Sequence, residues 1–161
     1  GEICIHFDQI VIVQNMVTST QSAQTFSRYK EVLNLLDRAH MDLLDDLYEE
    51  TMQFQDPVRA ISGRAAFRGY LERLYANVAF CRFQILHEAI QGDTGFLTWK
   101  MEMRHERFRP KETLFLDGMS MIVIGSQGRI QFHQDSFDLG AMLYERLPIL
   151  GGLTRRIKES L

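Results

Sequence analysis

Cysteine, proline and tryptophan are scarce in this chain of 161 residues, which has 2, 3 and 1 of them. Cys4 and Cys81 lie far apart and show no CxxC or Cys/His spacing, so neither a zinc site nor a disulfide framework is predicted. The sequence also lacks the GxGxxG, P-loop and GxSxG patterns of nucleotide-binding and hydrolase sites. This cysteine usage fits a reducing cytoplasm best.

A large excess of one charge is missing as well. The formal net charge is -3, which supplies no general attraction for a phosphate backbone, so nucleic acid is not expected as a partner. The hydrophobic fraction of 45% and the charged fraction of 24% are ordinary for a globular protein. A chain of this length is predicted to form one domain with one sizeable core.

Residues 1–21 are predicted to be an N-terminal extension. Their apolar residues are interrupted by His6 and Asp8, and no basic segment precedes a long apolar run, so neither a signal peptide nor a membrane span is expected. The stretch from Gly1 to Asn15 is interpreted as an added strand.

The next part of the chain shows the period of amphipathic helices. Apolar residues recur at steps of three and four over 22–36, which predicts a first helix. A short second helix is predicted over 41–48 and a short strand over 51–55. Asp56-Pro57 then breaks the pattern, and Ser62-Gly63 begins a third helix that extends to about Val78.

The second half of the chain changes to the two-residue period of strands. Strands are predicted over 79–91, 96–108, 113–124 and 129–137, with glycine-rich turns between several of them. Helices followed by an antiparallel meander predict an α+β domain over 22–146 in which the helices cover one face of a curved sheet.

Residues 147–161 are predicted to be a C-terminal amphipathic helical tail. They combine the apolar run that starts at Leu147 with the basic residues Arg155, Arg156 and Lys158. Packing on the domain or on a second subunit is the favoured interpretation. Contact with an anionic membrane surface is the weaker alternative.

His133 and Asp135 are the most suggestive polar pair. They lie two residues apart on the last predicted strand, so both side chains point to one face, which Phe137 continues. An apolar surrounding favours the neutral form of a carboxylic acid and suits it to proton transfer near neutral pH. The alternative is a carboxylate that is only hydrogen-bonded at the sheet rim, and spacing alone favours that alternative.

Asp56 has two possible roles at the end of its short strand. Its carboxylate could project into a pocket mouth, or it could cap the turn at Pro57 through the backbone, which is the more common use. The histidines show no HxxxH spacing, so no metal site is predicted.

Five short motifs follow one another in a fixed order over roughly residues 25–145. They are Leu47-Tyr48-Glu49-Glu50, Phe54-Gln55-Asp56-Pro57, Ile61-Ser62-Gly63-Arg64, Gly92-Asp93, and Gly128-Arg129-Ile130 with His133-Gln134-Asp135-Ser136-Phe137-Asp138. Together they resemble the SnoaL-like branch of the nuclear-transport-factor-2-like superfamily. The resemblance implies a cone of helices against a strongly bent sheet, a mostly apolar cavity and a homodimer.

Two enzyme groups of this superfamily place a catalytic residue at the same position. The stretch around His133 is similar to that of the SnoaL polyketide cyclases, whose acid/base aspartate falls on Asp135, and the catalytic aspartate of limonene epoxide hydrolase falls there too. The Arg and second Asp of the epoxide-opening relay fall on residues 101–103, where this chain has Met, Glu and Met. The resemblance therefore stops short of that relay.

Ketosteroid isomerase is a more distant comparison. Its base lies in an Asp-Pro pair that matches Asp56-Pro57. The tyrosine of its oxyanion hole falls near Val32, one turn from Tyr29, and its protonated acid falls near Ser120. The two strong donors that stabilise its enolate are thus not matched.

These observations predict a protein that binds a small hydrophobic, carbonyl-bearing molecule and uses an acid/base side chain without a metal or organic cofactor. The alternative is a noncatalytic ligand carrier or a dimerisation module with the same fold. The proposed catalytic residues are Asp135, His133 and Asp56, and the proposed ligand-binding residues are Tyr29, Tyr70, Trp99, Met101 and Ser120.

Overall fold

Helices come first in this chain and most strands follow. The computed structural model describes residues 7–107 and 111–140, with side chains from residue 20 onwards. The α+β class predicted from the sequence is confirmed, since the helices are followed by a mixed sheet of six strands that is not closed. The elements are α1 (Phe7–Leu35), α2 (Leu43–Leu47), β1 (Tyr48–Gln55), β2 (Ala60–Ser62), α3 (Arg64–Tyr75), β3 (Val78–Gln91), β4 (Thr94–His105), β5 (Leu114–Ile124) and β6 (Ile130–Phe137).

The prediction of an added strand near the N-terminus is wrong for the residues that the structure describes there. From Phe7 onwards the chain is helical, and α1 continues without a break to Leu35. The β-branched residues of this segment have only a weak preference for strands, and continuity with an amphipathic helix outweighs it. Residues 1–6, with Cys4, and the predicted tail at 147–161 lie outside the described residues.

The sheet has the strand order β2-β1-β6-β5-β4-β3. The four strands β3 to β6 form the predicted antiparallel meander. β1 adds to this meander by pairing parallel to β6, with Phe54 next to His133, and β2 pairs antiparallel to β1. The parallel pair brings the first strand of the chain beside the last, which assembles the site.

The third helix is shorter than predicted at its C-terminal end. Gly63 precedes it with a φ of 88°, a conformation that favours glycine, and the helix ends at Tyr75. It buries Phe67 and Tyr70 against β1, where Phe67 stacks on Phe54 at 4.6 Å between ring centroids. Val78, predicted to be helical, is the first residue of β3.

Close packing between strands places the single tryptophan. Trp99 on β4 lies directly opposite Gly118 on β5, and a Cβ atom at residue 118 would overlap the indole ring. The missing side chain thus gives the indole its space. Leu97 and Trp99 are buried, and Met101 and Met103, which line a cavity, are half-buried.

The helices in the described part of the chain are not both long and strongly apolar. No helix within residues 7–107 and 111–140 combines the two well enough to cross a membrane.

Candidate functional site

A cavity of about 400 Å³ lies between the helices and the inner face of the sheet. Its wall is mostly apolar and includes side chains from all three helices and from five of the strands. Leu44, Phe67 and Leu116 represent the apolar part. Asp56, His133 and Asp135 are acidic or basic side chains in the same wall. Such a cavity, apolar with a few polar groups, is typical of sites for small organic molecules.

Asp135 and His133 are brought together as the sequence predicts. The two residues alternate onto the inner face of β6, and 2.9 Å separates His133 Nε2 from Asp135 Oδ1. The His133 residue is only 4% exposed, whereas the Asp135 side chain is 23% exposed. The buried imidazole therefore holds one oxygen of the Asp135 carboxylate, while Asp135 forms part of the cavity wall.

Ser120 lies behind Asp135 and connects it to the tryptophan. Its hydroxyl donates to Asp135 Oδ1 at 2.5 Å and accepts from Trp99 Nε1 at 2.8 Å. The hydroxyl of Tyr29 lies 3.3 Å from both Ser120 Oγ and His133 Nε2. Ser120 was predicted to contact ligand, but it is 1% exposed and is not part of the cavity wall.

Tyr48 is the member of this cluster that sequence reasoning missed. It is the first residue of β1, and its hydroxyl lies 2.9 Å from His133 Nδ1. Tyr29 and Phe54 meet the imidazole edge-on, and the Tyr48 ring stacks nearly parallel to it. No local pattern signals this role, since it depends on the parallel pairing of β1 with β6.

Asp56 lies in the same cavity wall but uses its oxygens in the turn that follows β1. Oδ1 accepts the backbone N–H groups of Val58 and Arg59 at 2.7 and 2.8 Å, and Oδ2 accepts the hydroxyl of Tyr70 in a short hydrogen bond. The Arg59 guanidinium lies over the Tyr70 ring, 5.0 Å from its centroid. This geometry is that of a turn cap, the second of the two roles predicted for Asp56.

The other proposed ligand-binding residues line the cavity. Tyr29, Tyr70, Trp99 and Met101 all belong to its wall. Because Met101 and Met103 both face the cavity, Glu102 between them points to the outer face of β4, where it pairs with Phe115. The side chains that face the cavity at residues 101 and 103 of β4 are therefore thioethers, not acid/base groups.

The phenols around Asp135 remain protonated at neutral pH. Burial raises the pKa of Tyr29 well above its ordinary value, and the negative charge of Asp135 adds to this effect. Burial likewise raises the pKa of Tyr48, with smaller contributions from Tyr29 and Asp135. Both hydroxyls therefore have a proton to donate.

Side chains of the types that bind metal ions are dispersed over the described part of the structure. His40 pairs with Asp37 near the end of α1, His87 is exposed on β3, and His105 lies at the far end of β4. Within 7–107 and 111–140, no three side chains of His, Cys, Asp or Glu are grouped closely enough to hold a metal ion.

A family model for the SnoaL-like domain matches residues 29–133, which is more than half of the chain. The chain belongs to the SnoaL-like domain family. The matched part of this SnoaL-like protein includes Tyr29, Tyr48, Trp99 and Ser120, and the match ends at His133, two residues before Asp135. No curated protein matches the sequence significantly.

Solved structures with the same fold come from several bacteria. An LEH-like epoxide hydrolase of M. tuberculosis is 15% identical, with a TM-score of 0.63 over 88% of this chain and 98% of that one. A candidate SnoaL-like polyketide cyclase from Jannaschia sp. CCS1 is 12% identical, with a TM-score of 0.66 over 78% and 91%. An NTF2-like protein of unknown function from Burkholderia pseudomallei is 13% identical, with a TM-score of 0.65 over 76% and 95%. At these identities the likeness establishes the fold.

Proposed function

We propose that this SnoaL-like protein binds a small hydrophobic, carbonyl-bearing molecule in its cavity and transfers a proton with Asp135, supported by His133. The observation that carries the proposal is a carboxylate in the wall of a mainly apolar cavity of about 400 Å³, hydrogen-bonded to a buried imidazole. An apolar wall selects apolar ligands, and a single positioned carboxylate suits acid/base chemistry. Metal or organic cofactors are not required for such a step.

The proposed reaction begins at a carbon next to the carbonyl group. Asp135 takes the proton as the C–H bond breaks, and the electron pair moves toward the carbonyl oxygen to form an enolate. In an isomerisation, Asp135 then returns the proton to another carbon. In a ring closure, the enolate carbon bonds to a second carbonyl carbon and Asp135 gives the proton to the alkoxide oxygen that forms there, so that the enzyme is unchanged in both cases. Tyr29 is assigned as the donor to the enolate oxygen, because this residue lines the cavity and its hydroxyl makes only long contacts of 3.3 Å.

Asp56 is assigned a supporting role in this proposal. The sequence offered it as a second acid/base residue, but three hydrogen bonds already occupy its two oxygens. These hydrogen bonds tie the carboxylate to the turn and to Tyr70, which is the geometry of a structural group. The chemistry is therefore assigned to Asp135 alone.

Epoxide opening is less well supported than proton transfer next to a carbonyl. One similar structure is an LEH-like epoxide hydrolase. The sequence resemblance implies that the catalytic aspartate of limonene epoxide hydrolase falls on Asp135. However, Met101 and Met103 face the cavity from β4, where that resemblance requires an arginine and a second aspartate. The arginine and the second aspartate of that relay therefore have no counterpart at residues 101–103.

The alternative function is a noncatalytic carrier of the same ligand class. The observation that favours it is that Asp135 is held by Ser120 and His133 in hydrogen bonds that a purely structural carboxylate would also make. Native mass spectrometry of freshly purified protein separates the two functions, because it identifies a copurifying compound. Conversion of that compound class by the wild-type protein but not by Asp135→Asn supports the enzyme; binding without conversion supports the carrier.

Exposed apolar side chains on the outer face of the sheet support the proposal that the protein is a homodimer. Phe96 and Met119 on β4 and β5 are 42% and 41% exposed, and Phe115 on the same face is 58% exposed. Exposed apolar side chains grouped on one face are typical of interaction surfaces. Sedimentation should therefore give a dimer for wild type and a monomer for Phe96→Glu, with Leu35→Glu on α1 as the control that stays dimeric; a wild-type monomer would contradict the proposal.

A reducing cytoplasm is the proposed location. Cys81 is a free thiol in the structure. Exposed or half-buried free thiols persist in reducing compartments.

A further inference from the structure

The donors around Asp135 form two chains that end on the same oxygen atom. One chain starts at Tyr48 and passes through His133, and the other starts at Trp99 and passes through Ser120. Within the described residues, both hydrogen bonds to Asp135 reach Oδ1. The number of N–H and O–H protons on each side chain fixes the direction in which each chain of hydrogen bonds donates.

The chain from Trp99 has one possible direction. An indole N–H only donates, so Ser120 Oγ must accept it at 2.8 Å. The serine hydroxyl then has its own single proton to place, and its shortest contact is Asp135 Oδ1 at 2.5 Å. Since Ser120 is almost fully buried, this proton needs a protein acceptor. Trp99 thus forces Ser120 to donate to Asp135.

The chain from Tyr48 is fixed by the same argument. Tyr48 is buried and protonated, and the acceptor for its hydroxyl among the described residues is His133 Nδ1 at 2.9 Å. If Nδ1 carried a proton, the tyrosine hydroxyl would be a buried donor without an acceptor, which is unfavourable. Nδ1 therefore has a lone pair, and the ring proton lies on Nε2, which donates to Asp135 Oδ1 at 2.9 Å.

We propose that Tyr48 and Trp99 are positioning residues that direct two chains of donated hydrogen bonds onto Oδ1 of Asp135, so that this residue waits as an ionised base and accepts the substrate proton on Oδ2. Two donors to one oxygen fix the orientation of the carboxylate and leave Oδ2 for the substrate. The inference rests on the proposed function and narrows it. The reaction starts with abstraction of a proton from a neutral carbon acid, and substrates that must first be protonated are excluded.

The tautomer of His133 tests the first chain in ligand-free protein. Long-range ¹H–¹⁵N correlation spectra of histidine-labelled protein at pH 7.5 should show His133 with its proton on Nε2 and a hydrogen-bonded lone pair on Nδ1. The resonance is assigned by its loss in His133→Asn. Tyr48→Phe should shift the Nδ1 resonance, whereas Tyr75→Phe, which removes another phenol of the cavity wall, should leave it unchanged. A proton on Nδ1 in the wild type would overturn the inference.

The indole resonance tests the second chain. The protein has one tryptophan, so a single indole N–H signal reports on Trp99. Ser120→Ala removes its acceptor and should speed hydrogen exchange of this N–H by about fivefold or more, the factor that corresponds to one hydrogen bond of about 1 kcal/mol. Ser22→Ala, at another buried serine, is the matched control and should leave the indole signal unchanged. An unchanged exchange rate in Ser120→Ala would overturn the inference.

These two readouts are independent of catalysis. If the tautomer and the indole behave as expected but Asp135→Asn keeps full turnover, the proposed function is wrong and the two donor chains stand. If Asp135→Asn abolishes turnover but His133 carries its proton on Nδ1, the proposed function stands and the assigned direction of the chains is wrong.

Discussion

Replacement of Gly118 by alanine tests the packing that holds Trp99 against the site. A Cβ atom at residue 118 would lie well inside the van der Waals distance of three atoms of the indole ring. Because Gly118 and Trp99 are direct partners in adjacent central strands, the ring has to move away from β5. Such a movement breaks the hydrogen bond from Trp99 Nε1 to Ser120.

The expected loss of stability combines two effects. Overpacking by one methyl group in a well-packed region costs about 1–3 kcal/mol. Separation of the indole N–H from its buried serine acceptor adds about 1 kcal/mol. The free energy of unfolding should therefore fall by about 2–4 kcal/mol, a large share of the roughly 5–15 kcal/mol typical of a domain.

Urea denaturation followed by circular dichroism and by the fluorescence of the single tryptophan measures this change. Gly69→Ala in α3 is the matched control, since the added methyl group would meet only the end of the Arg73 side chain at an ordinary 3.6 Å. That control should be stabilised by about 0.5–1 kcal/mol, the gain of alanine over glycine inside a helix. A Gly118→Ala protein within about 0.5 kcal/mol of wild type, with an unchanged indole resonance, would refute the packing argument.

Three further predictions concern ionisation and the turn after β1. Burial raises the pKa of the Cys81 thiol to about 11 from an ordinary 9.0, so in a Cys4→Ser background alkylation by iodoacetamide at pH 8 should be about 100-fold slower in native protein than in urea, and equal rates would contradict it. The pKa values of Tyr29 and Tyr48 are raised by burial, so the folded state binds more protons than the unfolded state above about pH 10, and the free energy of unfolding should fall as the pH rises from 9 to 11; phenolate absorbance from these residues in still-folded protein would argue against this. Asp56→Ala leaves two backbone N–H groups and the Tyr70 hydroxyl without their acceptor and should lower stability by about 1–3 kcal/mol in urea denaturation, while the His133 tautomer stays unchanged.

The elements of this fold were predictable where their signal is local. Alternation along β4 depends only on which side chains face the core, and the glycine-containing turns before β4 and β6 mark where the chain reverses. The helical period of α3 is equally local. In contrast, the three residues of β2 are too few to show a period, and the helical start of α1 depends on continuity with the residues that follow.

The site was predictable in part. The same-face placement of His133 and Asp135 follows from their spacing, and the resemblance pointed to Asp135. The contribution of Tyr48 could not be predicted, because the parallel pairing of β1 with β6 joins residues 85 positions apart and leaves no mark on either segment. Ser120 was placed on the ligand side because of the resemblance to ketosteroid isomerase, whereas the packing of Trp99 turns it into a link behind the carboxylate.

Exchange of substrate hydrogen with solvent tests the central claim most directly. The compound identified by native mass spectrometry is incubated in deuterium oxide with wild type, Asp135→Asn or Asp56→Asn, and deuterium uptake next to its carbonyl group is followed by mass spectrometry. We predict uptake with wild type and with folded Asp56→Asn, and a rate lower by at least about 100-fold with Asp135→Asn, the usual contribution of a positioned acid/base group. Equal rates for wild type and Asp135→Asn would contradict the assignment of Asp135 as the base.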